Sequence, residues 1–449
     1  MLSEHMENHV FYRNLRKTYP VVDRGEGIHI WDKDGNRYID GSGGACVVSL
    51  GHGVPEILEA MKEQAARISF AHGSHFTSEA ARECADRLVR LAPDPSLSRV
   101  YFLSGGSEAV ETAVKVVRQY WREVGRPDKY KVISRWVSFH GNTMGAVALG
   151  GHTARRRHYH PHFLHTPHIE PAYCYRCPFG REPQTCSLEC AEQLERTIKY
   201  EGPDAVAAFI AEPVVGATAG ALVPRDGYWQ RIREICDTYE VKLIADEVMT
   251  GVGRTGRNFC LDHWSVVPDV IVSAKGLSSG YTPLGAVIVK EEIHDAIRSG
   301  SGAFVHGHTY SQNPLSVAVG AAVLRYLEEK DLIARCATMG EVFLEKLRGL
   351  LERPMVGDVR GLGLFAGVEL VQNKETKAPF APSGKISARV AQEAFRRGLI
   401  TYPGSGGADG INGDHILLAP PFIITEEELD EIVRILGEAI QAVEKEVGM

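Results

Sequence analysis

The chain has 449 residues, of which 44% are hydrophobic and 24% are charged, a composition typical of a globular protein with two or three domains. Its formal net charge of −7 argues against a nucleic-acid-binding surface, which has to be basic. The first residues carry acids in place of an apolar stretch, and no apolar run reaches the length of a membrane span. We therefore expect no signal peptide, no contact with a membrane and a cytoplasmic location.

The first predicted element is a β-hairpin. Residues 27–40 hold two strand-like stretches on either side of Asp34-Gly35, a pair that favours a tight turn. Towards the other end of the chain, strands are predicted at 361–370, 399–402 and 415–419, and helices at 384–397 and 425–447. We infer a smaller α+β domain that is formed by both chain ends, residues 1–60 and 326–449.

The middle of the chain, residues 61–325, alternates short apolar runs with helical stretches. Strands are predicted at 99–103, 130–134, 205–211, 241–245, 269–273 and 284–290, and helices at 107–123, 228–239 and 316–330. Several of these strands are apolar on both faces, as a sheet covered by helices on both sides requires. The pattern predicts a large α/β domain with a mostly parallel sheet.

A glycine-rich turn follows the first of these strands. Residues 103–115 run from the strand through Gly105-Gly106 into a helix near Ser107. Free N–H groups and the helix dipole at such a turn attract an anion, and glycine lets a phosphate approach closely. A simple capped helix start is the alternative. The Walker lysine is absent, which excludes a nucleoside-triphosphate loop.

Two charged residues lie at the ends of neighbouring predicted strands. Lys275 follows an apolar run and precedes small residues and glycine, a setting that suits an amine that loses its proton and attacks a carbonyl. Asp246 ends an earlier apolar run. Pyridoxal phosphate (PLP) requires such a pair, because the lysine forms a Schiff base and the aspartate pairs with the pyridinium nitrogen. Taken alone, such a pair is more often a surface lysine and a structural aspartate.

Three other segments are ambiguous when they are taken singly. Phe139 follows a strand, where its ring could stack on a planar cofactor, although a lone phenylalanine is more often part of a core. Glu212 comes directly after a buried strand and alone suggests a structural carboxylate. Thr309 lies in a polar loop before a helix, and its hydroxyl group could donate a hydrogen bond to a phosphate.

In their order along the chain, these segments resemble the class III aminotransferases, a branch of the type I PLP enzymes. The matching motifs are Ser-Gly-Gly-Ser-Glu-Ala at 104–109, Phe-His-Gly at 139–141, Ala-Glu-Pro-Val at 211–214, Asp-Glu-Val at 246–248, Thr-Gly-x-Gly-Arg-Thr-Gly at 250–256, Ala-Lys-Gly at 274–276 and Thr-Tyr-Ser-x-Asn-Pro at 309–314. Each motif is weak alone, but the resemblance extends from residue 27 to about residue 421.

The resemblance implies PLP as the cofactor and assigns roles to the matching residues. Lys275 would hold PLP as a Schiff base and carry a proton, and Asp246 would pair with the pyridine nitrogen. Val248 and Phe139 would pack on opposite faces of the ring. The other cofactor-binding residues that the resemblance implies are Gly106 and Ser107 at the phosphate, His140 and Glu212 elsewhere in the site, and Thr309, which would reach the phosphate of the partner subunit in a homodimer with shared active sites.

The implied reaction is a ping-pong amino transfer. A donor amine leaves as a carbonyl product and converts the cofactor into pyridoxamine phosphate, and an oxo-acid acceptor then takes the amino group. A PLP-dependent epimerase or racemase on the same fold is the alternative, and it would keep the cofactor in its aldehyde form. A non-catalytic metal-binding or partner-binding protein is a third possibility, and it predicts no dependence on Lys275.

The sequence departs from the family pattern at two carboxylate-binding positions. Relatives that use α-amino acids typically carry an arginine after His-Gly, where this chain has Asn142. Many amine-type members have an arginine in the strand region before the final Pro-Pro, but residues 400–419 contain none. We hypothesise an amine or ω-amino donor and a small acceptor such as pyruvate. Arg155, Arg156 and Arg157 either replace the missing group or form a solvated basic cluster.

The other departure is an insert at about residues 158–190 that is rich in cysteine and histidine. Its four cysteines are Cys174, Cys177, Cys186 and Cys190. A structural zinc site, disulfides and free thiols are the three alternatives, and the short gap between the two cysteine pairs argues against a zinc ribbon. We expect the insert to have a structural role, in a surface loop near the entrance of the site.

Overall fold

The fold is taken from a computed structural model, which describes residues 9–182 and 184–449. The strands are β1 Val22–Glu26, β2 His29–Asp32, β3 Arg37–Asp40, β4 Leu97–Leu103, β5 Lys131–Arg135, β6 His168–Ile169, β7 Val206–Ala211, β8 Lys242–Asp246, β9 Val270–Ser273, β10 Gly285–Lys290, β11 Val356–Leu362, β12 Phe365–Leu370, β13 Leu399–Ile400, β14 Tyr402–Ser405 and β15 Asp414–Leu418.

The helices cover most of the remaining chain. They are α1 Gly43–Cys46, α2 Pro55–Arg67, α3 Glu79–Leu91, α4 Gly106–Glu123, α5 Met144–Leu149, α6 Thr153–Arg156, α7 Glu189–Glu201, α8 Tyr228–Thr238, α9 Glu291–Ser299, α10 Pro314–Glu329, α11 Leu332–Arg348, α12 Ile386–Arg396 and α13 Glu426–Val447. Short 3-10 helices lie at His160–His162, Cys174–Arg176, Pro203–Ala205, Cys260–Trp264, Lys275–Leu277, Gly349–Glu352 and Pro382–Gly384. Within the described residues, no helix is both long and apolar enough to cross a membrane.

A seven-stranded sheet forms the centre of the molecule, in the order β4-β10-β9-β8-β7-β5-β6. The pairs from β9 to β6 are parallel, and β10 alone runs antiparallel to its two neighbours. All six residues of β7 are buried. Phe209 and Ala211 pack towards α7 and α8 on one face, and Ala208 and Ile210 pack towards α4 on the other. The predicted mostly parallel α/β sheet with two covered faces is therefore confirmed.

Two smaller sheets of four strands flank the central one. The first has the order β1-β2-β3-β13, and its β3–β13 pair is parallel, with Leu399 beside Ile39 and Ile400 beside Asp40. The second, β11-β12-β15-β14, is antiparallel and comes from the C-terminal part of the chain. The two chain ends thus share a sheet, as the predicted α+β part requires. The domain boundaries near residues 60 and 325 stay a prediction.

Two of the predicted strands are interrupted in the structure, so the prediction of continuous strands was wrong there. The segment 361–370 contains the end of β11, a turn and β12, because Gly363 adopts a left-handed conformation with φ of 56°. The segment 399–402 is divided between β13 and β14, which belong to different sheets. Apolar runs mark buried strands well, but a turn of two residues inside such a run leaves a weak sequence signal.

The strand order brings five chain segments to one edge of the central sheet. The carboxyl ends of β4, β5, β7, β8 and β9 all point to this edge, because β4 lies parallel to the others across the antiparallel β10. Ligands of open α/β sheets bind in the crevice outside these ends.

Candidate active site

A cavity of about 310 Å³ lies at the carboxyl edge of the central sheet. Eight of the nine residues that the sequence predicts to bind the cofactor line it, namely Gly106, Ser107, Phe139, His140, Glu212, Asp246, Val248 and Lys275. The structure thus brings together residues from five loops that lie far apart in the sequence.

Lys275 follows β9 and has a left-handed backbone, with φ of 47°. A left-handed conformation is unfavourable by about 1–2 kcal/mol for a residue with a Cβ, so the surrounding fold has to hold it in place. Burial lowers the pKa of the Lys275 amine, and the nearby acidic groups of Asp246 and Glu212 oppose that shift in part. A lowered pKa favours the neutral amine, which is the form that can bind a carbonyl or accept a proton.

Asp246, at the end of β8, is held by hydrogen bonds at both carboxylate oxygens. The Nδ1 atom of His140 lies 2.6 Å from one oxygen, and the backbone N–H of Val248 donates to the other at 3.2 Å. The side chains of His140 and Asp246 are almost completely buried, with exposed fractions of 0% and 4%. The contact with His140 fixes the orientation of the Asp246 carboxyl group, so this group is placed to pair with a protonated ring nitrogen.

The start of α4 lines one end of the cavity. Gly105 and Gly106 give access to the free N–H groups of its first turn, and Ser107 lies in that turn. A Cβ atom on Gly106 would lie 3.1 Å from Cγ1 of Val248, so the absence of a side chain keeps this part of the cavity open. The Ser107 hydroxyl oxygen accepts a hydrogen bond from the backbone N–H of Asn142 at 3.0 Å, which fixes the loop after β5 against α4.

Glu212 fixes the position of Phe139. Its two carboxylate oxygens accept hydrogen bonds from the backbone N–H groups of Phe139 and Gly216, each at 3.1 Å. Burial raises the pKa of the Glu212 carboxyl group, although those two N–H donors lower it in part. Glu212 therefore positions the residue whose ring lines the cavity, which explains why an acid follows the buried strand β7.

Thr309 is the one predicted residue that does not line the cavity of its own chain. It is exposed, in a loop where Val305 and Tyr310 are exposed as well, with fractions of 82% and 60%. The family resemblance implies that Thr309 reaches the site of a partner subunit, and this role stays a prediction.

The arginines at 155–157 have different surroundings. Arg156 donates to the carbonyl of Ala148 at 2.7 Å and to Nε2 of His168 at 2.9 Å, so it supports the local fold. Arg157 is exposed. The guanidinium carbon of Arg155 lies 4.1 Å from the centroid of the Phe139 ring, next to the cavity.

Several residues of the cavity wall were missed by sequence reasoning. They are Val47, Met249, Ser278, Gly280, Thr282, Pro283 and Leu284. Val47 comes from the segment after β3, whose approach to the site depends on tertiary packing that leaves no local motif. The residues at 278–284 directly follow Lys275, and their small or apolar side chains could have been assigned to the same wall on that ground.

The four clustered cysteines are free thiols in the structure. Burial and, to a smaller extent, the nearby Cys174 and Cys186 raise the pKa of Cys190 to about 12. Within residues 9–182 and 184–449, the side chains whose potential metal-ligand atoms lie close together are Glu291, His294 and Asp295. These three residues lie outside the insert. Zinc, disulfides and free thiols stay the three alternatives for these cysteines in a metal-loaded or oxidised protein.

The lining residues fit PLP. The glycine-rich start of α4 suits its phosphate, the space next to Phe139 and Val248 suits its ring, and the hydrogen-bonded Asp246 suits its pyridine nitrogen. Lys275 supplies an amine of lowered pKa within the same cavity. Fold and site together are those of a PLP-dependent transferase of fold type I.

Comparison with known proteins gives the particular family. Residues 10–440 match the family described as Aminotransferase class-III. The chain therefore belongs to the class III aminotransferases, and its cofactor is PLP. The resemblance that the seven sequence motifs indicate is confirmed.

Similar proteins cover nearly the whole chain. The uncharacterized aminotransferase YodT of Bacillus subtilis is 40% identical over 98% of this chain and 99% of its own length. The putrescine–pyruvate aminotransferase of Pseudomonas aeruginosa is 36% identical over 96% of this chain and 92% of its own. An (S)-enantioselective omega-transaminase from Thermomicrobium roseum has a TM-score of 0.89 and 38% identity, over 99% of this chain and 96% of that one.

Proposed function

We propose that the protein transfers an amino group from an amine or ω-amino donor to a small oxo acid such as pyruvate. The observation that carries the proposal is the neutral wall of the cavity around Lys275, where Val47, Met249 and Leu284 lie and where Asn142 replaces the arginine of α-amino-acid-specific relatives. The similarity to a putrescine–pyruvate aminotransferase and to an omega-transaminase supports the same choice of donor and acceptor.

The roles of the residues follow from their surroundings. PLP, when bound, supplies an electron sink that allows the carbon next to the substrate nitrogen to lose its proton. Lys275 is the proposed attachment point of PLP and the group that accepts and returns this proton, since burial favours its neutral amine. Asp246, fixed by His140, keeps the ring nitrogen protonated. Phe139 and Val248, which both line the cavity, would pack against the ring.

We propose a homodimer in which Thr309 of each subunit completes the phosphate site of the other. Exposed apolar side chains support this assembly. Val305 and Tyr310 flank Thr309, and Phe70, which makes an edge contact with Tyr310 at 5.7 Å, is itself 39% exposed. Such a group of exposed rings is typical of a surface that another chain covers.

We also propose a cytoplasmic location. The five scattered cysteines Cys46, Cys84, Cys236, Cys260 and Cys336 are buried free thiols, and the four in the insert are free as well. Reduced thiols fit a reducing compartment.

A donor and acceptor panel with the purified holoenzyme tests the proposed reaction. Putrescine and simple primary amines should support turnover with pyruvate, and ornithine and glutamate should be poorer donors. Addition of the amine alone should convert the visible spectrum of the cofactor to that of its aminated form, because the first half-reaction needs no acceptor. Faster turnover with glutamate or ornithine than with amines would refute the proposed donor class. Loss of optical activity of an amino acid without any acceptor would favour a racemase instead.

A further inference from the structure

The proposed acceptor carries a carboxylate that the two usual arginine positions cannot bind. Three other arginines of the chain are already engaged. Arg135 is buried and donates to the carbonyl of Glu212, and Arg254 is buried and donates to the carbonyls of Leu364 and Pro420. Arg360 forms ion pairs with two carboxylates, at 2.6 and 2.7 Å. A carboxylate-binding group has to come from another position.

Arg155 is half-buried and lies next to the cavity. Its guanidinium group stacks on the Phe139 ring at 4.1 Å, and Nη2 lies 3.5 Å from the hydroxyl oxygen of Tyr402. Its positive charge contributes to the lowered pKa of Lys275, so the two side chains are within electrostatic range. Within the described part of the chain, no carboxylate forms an ion pair with Arg155, in contrast to Arg360. Most of its five N–H donors are thus free for a ligand.

The glycine-rich loop next to β14 explains how Arg155 reaches this position. The helix α6, which carries Arg155, packs against that loop, and His152 donates to the carbonyl of Ser405 at 2.8 Å. A Cβ atom on Gly410 would lie 2.7 Å from the Thr153 hydroxyl oxygen. Glycines therefore allow α6 to approach the segment in which many amine-type relatives carry their arginine. Arg155, on α6, thus lies beside this segment and contacts Tyr402 in it.

We propose that Arg155 binds the carboxylate of the oxo-acid acceptor and makes the enzyme selective for oxo acids over neutral carbonyl compounds. The stacking on Phe139 and the contact with Tyr402 hold the guanidinium fork beside the cavity, and this fork can bind a carboxylate through two hydrogen bonds. Amine donors without a carboxylate bind against the neutral wall and do not need Arg155. This inference rests on the proposed transaminase function, and it adds the residue that selects the acceptor.

The test compares an acceptor that has a carboxylate with one that has none. The holoenzyme variants are Arg155→Gln, Arg155→Lys and the exposed neighbour Arg157→Gln as a matched control, each assayed with pyruvate and with butanal. For Arg155→Gln we expect the KM for pyruvate to rise about 10- to 100-fold, the typical effect of a charged hydrogen-bonded pair, with the values for butanal unchanged. Arg155→Lys should recover part of the pyruvate affinity as a point charge, and Arg157→Gln should behave as the wild type.

A binding measurement separates this inference from the proposed reaction. Propionate has a carboxylate and no reactive carbonyl, and its dissociation constant from the holoenzyme can be measured by calorimetry. We expect weaker propionate binding in Arg155→Gln and wild-type binding in Arg157→Gln. If the wild type fails to use pyruvate but still binds propionate through Arg155, the proposed reaction is refuted while the carboxylate site stands. Equal losses of activity with pyruvate and with butanal in Arg155→Gln would overturn the inference, because Arg155 would then only support Phe139. Unchanged affinities for both pyruvate and propionate would also overturn it, because Arg155 would then have no role in binding.

Discussion

At the residue scale, the charges of the site are organised by burial and by a few hydrogen bonds. Lys275 has a lowered pKa, and Asp246 receives donors at both oxygens. The sequence predicted both residues, because each follows a buried strand and belongs to an ordered set of motifs. The contact between Arg155 and Phe139 was beyond sequence reasoning, because it depends on how α6 packs and on which of three adjacent arginines turns inward.

Replacement of Lys275 by Met should stabilise the cofactor-free protein at neutral pH. The pKa of Lys275 is about 10.5 in the unfolded chain and lower in the folded protein. Between these two pKa values the unfolded chain binds more protons than the folded protein, so the free energy of unfolding rises with pH. The Met variant lacks this unfavourable charge, and its advantage should disappear as the pH approaches 10.5. Urea denaturation of both proteins as a function of pH measures the difference. A difference in the free energy of unfolding that is independent of pH would contradict the proposed burial of a charged Lys275. The variant should also lose at least about 10²-fold in transamination.

Glu247, next to Asp246, should make stability fall between pH 4.5 and 7. Burial raises the pKa of its carboxyl group from 4.5 to about 7, so the folded state favours the protonated form. The stabilisation is complete below pH 4.5 and is lost as the pH rises through 7, and it amounts to roughly 3 kcal/mol. Glu247→Gln should remove this part of the pH dependence in denaturation measurements. An unchanged pH profile would show that the carboxyl group titrates normally.

At the element scale, the phosphate end of the site depends on the close contact of α4 with the end of β8. The sequence predicted the glycine-rich turn and the helix, because the change from an apolar run to glycine and then to an amphipathic stretch is a local signal. It could not show that Gly106 faces Val248, since this contact joins segments that are distant in the chain. The interrupted strands near Gly363 and Thr401 have a similar cause, because short turns inside apolar runs are fixed by the packing of the sheets.

Gly106→Ala should weaken PLP binding about tenfold. The new Cβ atom would lie 3.1 Å from Val248 and would narrow the space for the phosphate and ring. Titration of the cofactor-free protein with PLP, followed by absorbance, gives the dissociation constant. Gly349→Ala is the matched control, because Gly349 has φ of −57° and a Cβ atom added there would meet no other atom within 4 Å. Equal PLP affinity in both variants would show that the contact with Val248 has no influence on the cofactor.

At the scale of the whole molecule, one chain supplies all of the expected cofactor contacts except that of Thr309. The loop that carries Thr309 is exposed together with neighbouring apolar side chains. The sequence predicted the need for a partner through the family resemblance alone, because neither composition nor periodicity contains information on the surface that another copy covers.

Thr309→Ala should weaken PLP retention in a dimer while the fold of each subunit is preserved. The proposed hydroxyl contact with the phosphate of the neighbouring site is worth about 1 kcal/mol, or roughly a fivefold change in affinity. Sedimentation should give a mass of twice 49.3 kDa for the wild type and for the variant. A monomer with full activity and wild-type PLP affinity would refute the shared site.

The parallel pairing of β13 with β3 has a consequence for the order of folding during synthesis. Ile39 and Asp40 leave the ribosome early, but their strand partners are Leu399 and Ile400. The N-terminal sheet therefore remains incomplete until nearly nine-tenths of the chain has been made. Since the central sheet can assemble earlier, we expect a nascent chain to complete its N-terminal sheet only after translation has passed residue 400.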